Sequence, residues 1–323
     1  MHCSIFYIEK ENNMYQPRTD LALEAHEMAS QSNSHLDGII YKEENLLGFN
    51  MTRVEITTED AAIKTGKPCG KYLTLHIGSP WNEGSESLIT STRALSLLIE
   101  ELISDKISGT SPVLIAGLGN ITITADAIGP KSLEHVIVTR HIKSASPSLF
   151  SELGLFDIAA LSPGVLSQTG VETTEIIKSL VDKISPSLVI AIDSLASKNL
   201  ERLVTTVQLS DSGISPGSGM GNRRSSLNEK TLGVPVISIG VPTVVDVGAL
   251  AFGILEKHCK SPEISNEIIE DLEKSKEQNE LEYFVTPKDT DLIISYLAKV
   301  IGYGINLAFH KNLEYEEMVS IAN

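Results

Sequence analysis

The chain has 323 residues, of which 41% are hydrophobic and 21% are charged, as in a globular protein with a sizeable core. Its formal net charge of −16 argues against a protein that binds nucleic acid phosphates over a broad surface. The three cysteines, Cys3, Cys69 and Cys259, lack metal-binding or redox spacing, which favours free thiols in a reducing compartment. The N-terminus has no basic signal-peptide region, and no window approaches the roughly 18 apolar residues of a membrane span. We therefore expect a cytoplasmic protein without a membrane partner.

Short β-branched runs alternate with amphipathic runs along the chain, after a polar and irregular first 50 residues. The irregular first 50 residues contain only a short amphipathic run at 20–30. Strands are predicted at 52–57, 71–77, 113–117, 135–142, 156–161, 187–193, 203–209 and 235–241, and the main helices at 84–104, 171–185, 243–257 and 287–309. This order predicts an α/β fold in which a mostly parallel sheet is covered by helices on both faces. No internal repeat and no Gly/Ser-rich linker divides the chain, so a single domain is favoured.

Two aspartates follow apolar runs at the points where strands should end. Asp126 lies in the loop after strand 113–117, and Asp193 lies at the tip of strand 187–193. Because ligands bind outside the carboxyl ends of parallel strands, these carboxylates could face each other across a cleft. Such a pair could bind a metal or activate a water by sharing a proton. A capping role for each aspartate in its loop remains open on the pattern alone.

Two glycine-rich segments offer a different chemistry. The turn 117-GLGN-120 and the loop 216-PGSGMGNRR-224 could bind a nucleotide or a phosphate, although neither completes a dinucleotide-binding motif. Ser218 lacks the first glycine of a nucleophile elbow, which disfavours serine hydrolysis. No pair of histidines has metal-ligand spacing. A nucleotide- or phosphate-binding α/β protein, and a non-enzymatic assembly protein, are therefore the alternatives to an aspartate-dependent enzyme.

Longer blocks carry a resemblance to a known family. The segment 117-GLGNITITADAIGPK-131 resembles a signature of the hydrogenase-maturation endopeptidases. The blocks 18-RTDLALEA-25, 160-ALSPGVLSQTGVET-173, 187-SLVIAIDSLASKNLERL-203, 208-QLSDSGISPGSGMGNRR-224 and 237-ISIGVPTVVD-246 are similar to the germination proteases of spore-forming bacteria. The resemblance runs from about Tyr15 to the C-terminal helix. It implies a three-layer α/β/α fold and an endopeptidase that degrades small acid-soluble spore proteins. It also implies a homotetramer and an inactive zymogen that processes itself.

The resemblance assigns roles to individual residues. The two essential aspartates of the family fall on Asp126 and Asp193, and its processing site falls between Asp20 and Leu21. Residues 1–20 would then be a propeptide, of which 1–13 are extra if translation starts at Met14. Residues 21–323 would form the single catalytic domain. We expect the whole block 18-RTDLALEA-25, on both sides of the cut, to lie in a polar and mobile N-terminal segment. We also expect the protein to act in the cytoplasm of the developing spore, the spore core, without direct nucleic acid binding.

The mechanism expected from these residues is water activation by an aspartate pair. One carboxylate deprotonates the water, and the other polarises the scissile carbonyl or protonates the leaving amine. Backbone N–H groups at Gly119 and Asn120, or the ammonium of Lys131, could stabilise the oxyanion or support the cleft. No histidine in the glycine-rich stretch matches the third metal ligand of the maturation proteases, so we expect neither a metal nor another cofactor.

Overall fold

The computed structural model describes residues 19–32, 37–107, 111–217, 225–258, 268, 271, 274 and 283–322. The strands are β1 Ile39–Leu46, β2 Phe49–Ile56, β3 Gly70–His76, β4 Val113–Gly117, β5 Ile158–Leu161, β6 Leu188–Ser197, β7 Thr206–Ser210, β8 Val236–Asp246 and β9 Phe284–Val285. The longer helices are α1 Ala22–Ser32, α3 Ser85–Ile103, α8 Thr173–Ile184, α10 Val247–His258, α11 Thr290–Phe309 and α12 Tyr315–Ala322. The short helices are α2 Glu59–Thr65, α4 Ile128–Leu133, α5 Arg140–Ala145, α6 Pro147–Glu152, α7 Leu166–Thr169 and α9 Glu229–Leu232.

The strands of the described residues form one mixed sheet in the order β1-β2-β3-β7-β8-β6-β4-β5, with β9 added to β8. Strands β5, β4, β6 and β8 are parallel to one another, while β1, β2, β3 and β7 continue the sheet in antiparallel pairs. The predicted α/β class is confirmed, but the sheet is more mixed than the expected mostly parallel arrangement. The β1–β2 hairpin is joined by a two-residue turn, and such a connection permits only antiparallel pairing.

Helices cover both faces of the sheet and make three layers. On one face, α3 and α11 pack over a continuous layer of β-branched and leucine side chains. On the other face, α8 and α9 cover the parallel strands, and α1 and α2 cover the antiparallel arm. Between these two groups the polar side chains of Gln208, Ser210 and Ser238 line an open cavity. The cavity lies over β7 and β8, and Thr19 and Asp20 of the N-terminal segment also line it.

Helix α11 differs from one expectation of the sequence analysis. It is long and apolar enough to cross a membrane, with a mean hydropathy of 1.6, yet 72% of that window is buried inside the protein. The helix packs against α3 and α4, and Ile294, Leu297 and Ile301 lie in the main core. Its apolar character is therefore accounted for by its position as a core helix.

Two parts of the predicted secondary structure are wrong. The segment 135–142 is not a strand, because its buried residues pack on α11 instead of joining the sheet. The Asn306 side chain accepts a 2.8 Å hydrogen bond from the Ile137 N–H and donates a 2.8 Å bond to the His135 carbonyl. Strand β1 lies in the stretch expected to be irregular. Its charged sequence suits an edge strand that is exposed on most of its length.

Candidate functional site

The Asp126 carboxylate sits in a tight turn built by the GLGN segment. Asp126 ends a short 3₁₀ helix, and its Oδ2 accepts a 2.8 Å hydrogen bond from the backbone N–H of Asn120. Gly119 has a φ of +104°, and a Cβ there would lie 2.1 Å from the Asp126 carbonyl oxygen. Only glycine allows the two backbone segments to approach so closely. The turn therefore fixes the direction of the Asp126 carboxylate.

Two neighbouring elements anchor the Asp126 turn. The Thr243 hydroxyl on β8 donates a 2.6 Å hydrogen bond to the Ala125 carbonyl. The Thr124 hydroxyl donates a 2.8 Å bond to Asp291 in the first turn of α11. Because these contacts come from the sheet and from a core helix, Asp126 belongs to a rigid part of the fold.

Asp193 lies on the strand beside this turn. It is 5% exposed and accepts a 2.9 Å hydrogen bond from the Ser194 N–H. The prediction that Asp193 lies at the tip of its strand is wrong, because β6 continues to Ser197 and pairs with β8 over that length. The neighbouring strand β4 ends opposite Ile192, so Asp193 lies just beyond the carboxyl end of β4. The carbonyl of the preceding residue, Ile192, accepts a 2.8 Å bond from the Leu118 N–H, one residue before Gly119. The 3₁₀ turn of Asp126 also packs against β6. The structure thus brings both predicted aspartates to the same edge of the parallel half of the sheet.

The remaining predicted support residues have mixed surroundings. The Asn120 side chain holds its own turn, accepting from Thr122 and, at 2.7 Å, from Gln168. Its backbone N–H is occupied by Asp126, so Asn120 supports the cleft rather than a free oxyanion site. Lys131 is half-buried on α4. Among the described residues no hydrogen bond or ion pair engages its ammonium, so its role in oxyanion binding stays a prediction.

The predicted processing site is bound to the end of β6. The Asp20 N–H donates a 2.9 Å hydrogen bond to the Ala196 carbonyl, and the Ala196 N–H donates a 2.8 Å bond to the Asp20 carboxylate. Ala196 follows a register shift in the β6–β8 pair, three residues beyond Asp193. A strand rises about 3.3 Å per residue, so the Cα atoms of Asp193 and Ala196 are roughly 10 Å apart.

Gln208 on β7 holds the backbone on both sides of the predicted cut. Its Oε1 accepts a 2.7 Å hydrogen bond from the Ala22 N–H, and its Nε2 donates a longer, 3.4 Å bond to the Asp20 carbonyl. Gln208 is paired with Gly240, which is in turn paired with Asp193. These three residues therefore form one row across β7, β8 and β6. Sequence analysis missed Gln208, whose only signal was a polar side chain in an otherwise apolar strand.

The cavity between the helices lies beside Asp20. Its volume is about 330 Å³, and Asp20, Lys67, Leu195 and Gly240 are among its lining residues. Asp126 and Asp193 do not line it. The Leu195 side chain lies over Gly240, because a Cβ on that glycine would be 2.4 Å from Leu195 Cδ1. Leu195, two residues beyond Asp193 on β6, therefore forms part of the cavity wall.

The segment after the predicted cut is packed, contrary to the expectation that it is mobile. Leu21, Ala22, Leu23, Glu24 and Ala25 are each at most 3% exposed. The Glu24 carboxylate accepts hydrogen bonds of 2.8, 2.7 and 3.1 Å from Ser197 Oγ, Lys198 N and Asn199 N. It also lies 3.4 Å from Arg202. These contacts fasten the start of α1 to the end of β6. The sequence missed Glu24 because its partners are about 175 residues away.

The described residues also allow the expectations of a metal site and of a phosphate-binding loop to be compared with the structure. No group of three or more His, Cys, Asp or Glu side chains arranged for a metal occurs among them. The Asn120 N–H of the GLGN turn donates to the Asp126 carboxylate. In a phosphate-binding loop this N–H would instead point to the ligand. The second glycine-rich loop falls largely in 218–224, outside the described residues.

Comparisons with known proteins identify the family of the chain. A family model described as germination protease matches residues 18–259. A germination protease from Caldanaerobacter subterraneus subsp. tengcongensis is 42% identical over 93% of this chain and 96% of its own length. One from Clostridium perfringens is 38% identical over 96% of this chain and all of its own. One from Geobacillus sp. is 32% identical over 94% and 96%.

A solved structure, the (NiFe) hydrogenase maturation protease HycI from Thermococcus kodakarensis, aligns with 45% of this chain and 80% of its own at 19% identity and a TM-score of 0.30. The family model, in contrast, spans most of the chain, including the Asp126 turn, strand β6 and the residues that hold Asp20. The relatives match over nearly their whole lengths. The chain belongs to the germination protease family.

Proposed function

We propose that the chain is an endopeptidase that initiates the degradation of small acid-soluble spore proteins during germination and is made as a self-processing zymogen. Membership of the germination protease family supports the protease activity. The proposal adds that residues 1–20 are a propeptide and that the cut falls between Asp20 and Leu21. We further propose that the enzyme is a homotetramer and works in the cytoplasm of the developing spore, the spore core.

The observation that carries the proposal is the pairing of Asp20 with Ala196. It attaches an acidic residue, followed by Leu21 and Ala22, to the same strand that bears Asp193. Asp20 is bound to this strand through its backbone N–H and its carboxylate, and a backbone bond to a strand is one way in which peptides bind to sheets. Directly after the predicted cut the chain enters α1, whose first helical bond is accepted by the Leu21 carbonyl. The N-terminal segment thus occupies a place suited to a peptide substrate.

The chemistry proposed for the site is hydrolysis by Asp126 and Asp193. The two carboxylates share one proton, and the ionised member removes a proton from a water molecule. The oxygen of that water forms a bond to the scissile carbonyl carbon, and the carbonyl π electrons move to its oxygen. Collapse of this intermediate breaks the C–N bond, while the protonated aspartate gives its proton to the leaving amine. Lys131 is the proposed cationic support for the oxyanion.

An inactive precursor is consistent with the position of Leu195. This side chain lines the cavity and packs over Gly240, whereas Asp193 does not line the cavity, and the Asp20 carbonyl is bound by Gln208. Self-cleavage therefore requires a movement that brings the carbonyl to Asp193. We propose acidification late in spore formation as the trigger, because protonation of carboxylates reduces the repulsion in a chain with a net charge of −16.

The test is mass spectrometry of purified full-length protein held at about pH 5.5, a mildly acidic condition at which carboxylates of raised pKa gain protons while ordinary ones stay ionised. The wild-type chain should acquire a new N-terminus at Leu21, and Asp193→Asn protein should stay intact. Appearance of the Leu21 terminus in pure Asp193→Asn protein would show that the cleavage is not autocatalytic. Stable wild-type protein whose melting temperature rises with added nucleotide would instead support the alternative of a nucleotide-binding protein.

The acidic residue before the cut provides a second test. Asp20→Arg should block maturation, because a bulky cation replaces the carboxylate that accepts from the Ala196 N–H. Asp20→Glu keeps the charge and should mature. Both variants should melt within a few degrees of the wild type, since Asp20 lies outside the buried segment that starts at Leu21. Normal maturation of Asp20→Arg would remove the acidic residue from the recognition step.

A further inference from the structure

The groups that hold Asp20 all belong to the part of the chain that remains after cleavage. Ala196 binds the Asp20 carboxylate and N–H, Gln208 contacts its carbonyl, and Lys67 donates a 3.0 Å hydrogen bond from Nζ to the preceding carbonyl, that of Thr19. We call Lys67, Ala196 and Gln208 the Asp20 subsite. Two of its members bind only backbone atoms here, and Ala196 binds the carboxylate through a neutral N–H.

Lys67 brings a positive charge to this subsite. It follows the left-handed cap of α2 at Gly66, is half-buried, and lines the cavity beside Asp20. Burial lowers the pKa of its ammonium, and the charges of Asp20 and Glu24 act in the opposite direction. Glu24 is already shared by donors from Ser197, Lys198 and Asn199.

Release of residues 1–20 would change the surroundings of Lys67. Its hydrogen-bond acceptor on Thr19 and the negative charge of Asp20 would both leave, while the ammonium would stay at the cavity wall. A partly buried cation that loses its partners is unfavourable unless another anion or acceptor replaces them. The cavity of about 330 Å³ has room for a side chain at this place.

We propose that Lys67 is the specificity-determining residue that selects an acidic side chain immediately before the cleaved bond, first in the chain's own Asp20 and then in its protein substrates. The inference rests on the proposed function, since it takes Asp20–Leu21 as the cleaved bond. The ligand class is an extended peptide with Asp or Glu at this position. Such a peptide displaces Leu21, whose N–H loses its 3.0 Å bond to Thr19 Oγ1 when Thr19 departs.

A double-mutant cycle on self-cleavage of the full-length chain tests the proposal. The four proteins are wild type, Asp20→Asn, Lys67→Met and the double variant, each followed by mass spectrometry under the conditions that process the wild type. Asp20→Asn should slow cleavage roughly tenfold when Lys67 is present and less than about twofold when Met replaces it, because the coupling belongs to the charge pair. The charge reversal Asp20→Lys with Lys67→Glu should cleave faster than either single variant.

Lys64→Met is the matched control. Lys64 is an exposed cation on the last turn of α2, three residues from Lys67, so the effect of Asp20→Asn should be unchanged in its presence. Equal slowing by Asp20→Asn with and without Lys67 would overturn the proposal, as would the absence of any slowing. Melting temperatures establish that each variant is folded. Self-cleavage of Asp193→Asn protein would instead contradict the proposed function, so the two failures are distinguishable.

Discussion

Asp20 and Ala196 are joined by two hydrogen bonds, one donated by the backbone N–H of each residue. The pair connects the N-terminal segment to β6 just beyond a register shift, and so to the strand that carries Asp193. An interaction of this kind depends on backbone geometry at Ala196 and on a carboxylate at Asp20. The acidic side chain of Asp20 therefore helps to fix the N-terminal segment on the strand that carries Asp193.

Replacement of either catalytic candidate should abolish peptide cleavage without unfolding the chain. Asp126→Asn and Asp193→Asn each keep the side-chain shape and one acceptor oxygen but remove the acid–base function. We expect the rate on a spore-protein peptide to fall roughly 100-fold or more. Asp182→Asn is the control, because Asp182 is an exposed acid that pairs with Lys178 on α8. A folded Asp126→Asn or Asp193→Asn protein with near wild-type activity would refute the two-aspartate mechanism.

Activity should survive removal of divalent metal ions. Among the described residues no cluster of acidic, histidine or cysteine side chains is arranged for a metal, and one Asp126 oxygen is already bound to the Asn120 N–H. We expect unchanged peptide cleavage after dialysis against a strong chelator at neutral pH. Loss of cleavage, followed by recovery on adding back one particular divalent ion, would return the site to metal-assisted hydrolysis.

Glu24 should be far more important for stability than its neighbour Glu27. Glu24 is fully buried and accepts from several donors. Glu27, on the surface of α1, has a side chain that is 39% exposed and that pairs, among the described residues, with Arg202. Glu24→Gln should lower the free energy of unfolding by roughly 2–4 kcal/mol, since it removes a buried charge from its partners. Glu27→Gln should cost less than about 1 kcal/mol. Urea denaturation measures both, and equal losses would contradict this account.

Acidification should weaken the fold through His310. This side chain is 1% exposed, with Nδ1 accepting from the Phe156 N–H at 3.2 Å and Nε2 lying 3.4 Å from the Ile137 carbonyl. Burial lowers the pKa of His310 below its usual value of 6.5, although the bond to Ile137 raises it. The unfolded chain therefore binds the proton more readily, and stability is present above about pH 6.5 and declines below it.

The measurement is the melting temperature between about pH 7.5 and pH 5.5, the range in which a histidine titrates. His310→Gln should be less stable than the wild type at the upper end and should show a shallower decline, by at most about 1.4 kcal/mol per pH unit for one proton. His141→Gln, a change at an exposed histidine, should leave the profile unchanged. A profile of His310→Gln that runs parallel to the wild type would exclude His310 as a contributor.

Much of the fold could be predicted because burial in this sheet follows local patterns. The apolar runs of β4, β6 and β8 are buried on both faces, so they stand out in the sequence as continuous stretches. Strand β1 could not be found this way, since it is exposed and rich in charge. The segment 135–142 misled for the opposite reason. Its buried Val136 and Ile137 pack into two different apolar clusters, and Asn306 bonds the backbone at His135 and Ile137, contacts that no local pattern reports.

The site divides along the same line. Asp126 and Asp193 could be found because each comes after a recognisable apolar run, and parallel strands bring their carboxyl ends to one edge. The groups that hold Asp20 could not. Lys67, Ala196 and Gln208 are far apart in the chain and meet only when β6, β7 and the end of α2 are assembled. Long-range pairing of this kind leaves little trace in the amino-acid pattern around each residue.

The pairing of Asp20 with Ala196 has a kinetic consequence on the proposed function. A segment tethered to its own binding place has an effective concentration in the millimolar range or above. Any spore protein that reaches the uncut molecule must compete for this binding place with the attached N-terminal segment. The precursor can then be catalytically inactive even if Asp126 and Asp193 are themselves competent. A single cut removes the competing segment. Until then, each precursor molecule is a complete enzyme whose substrate-binding place is filled by its own N-terminal segment.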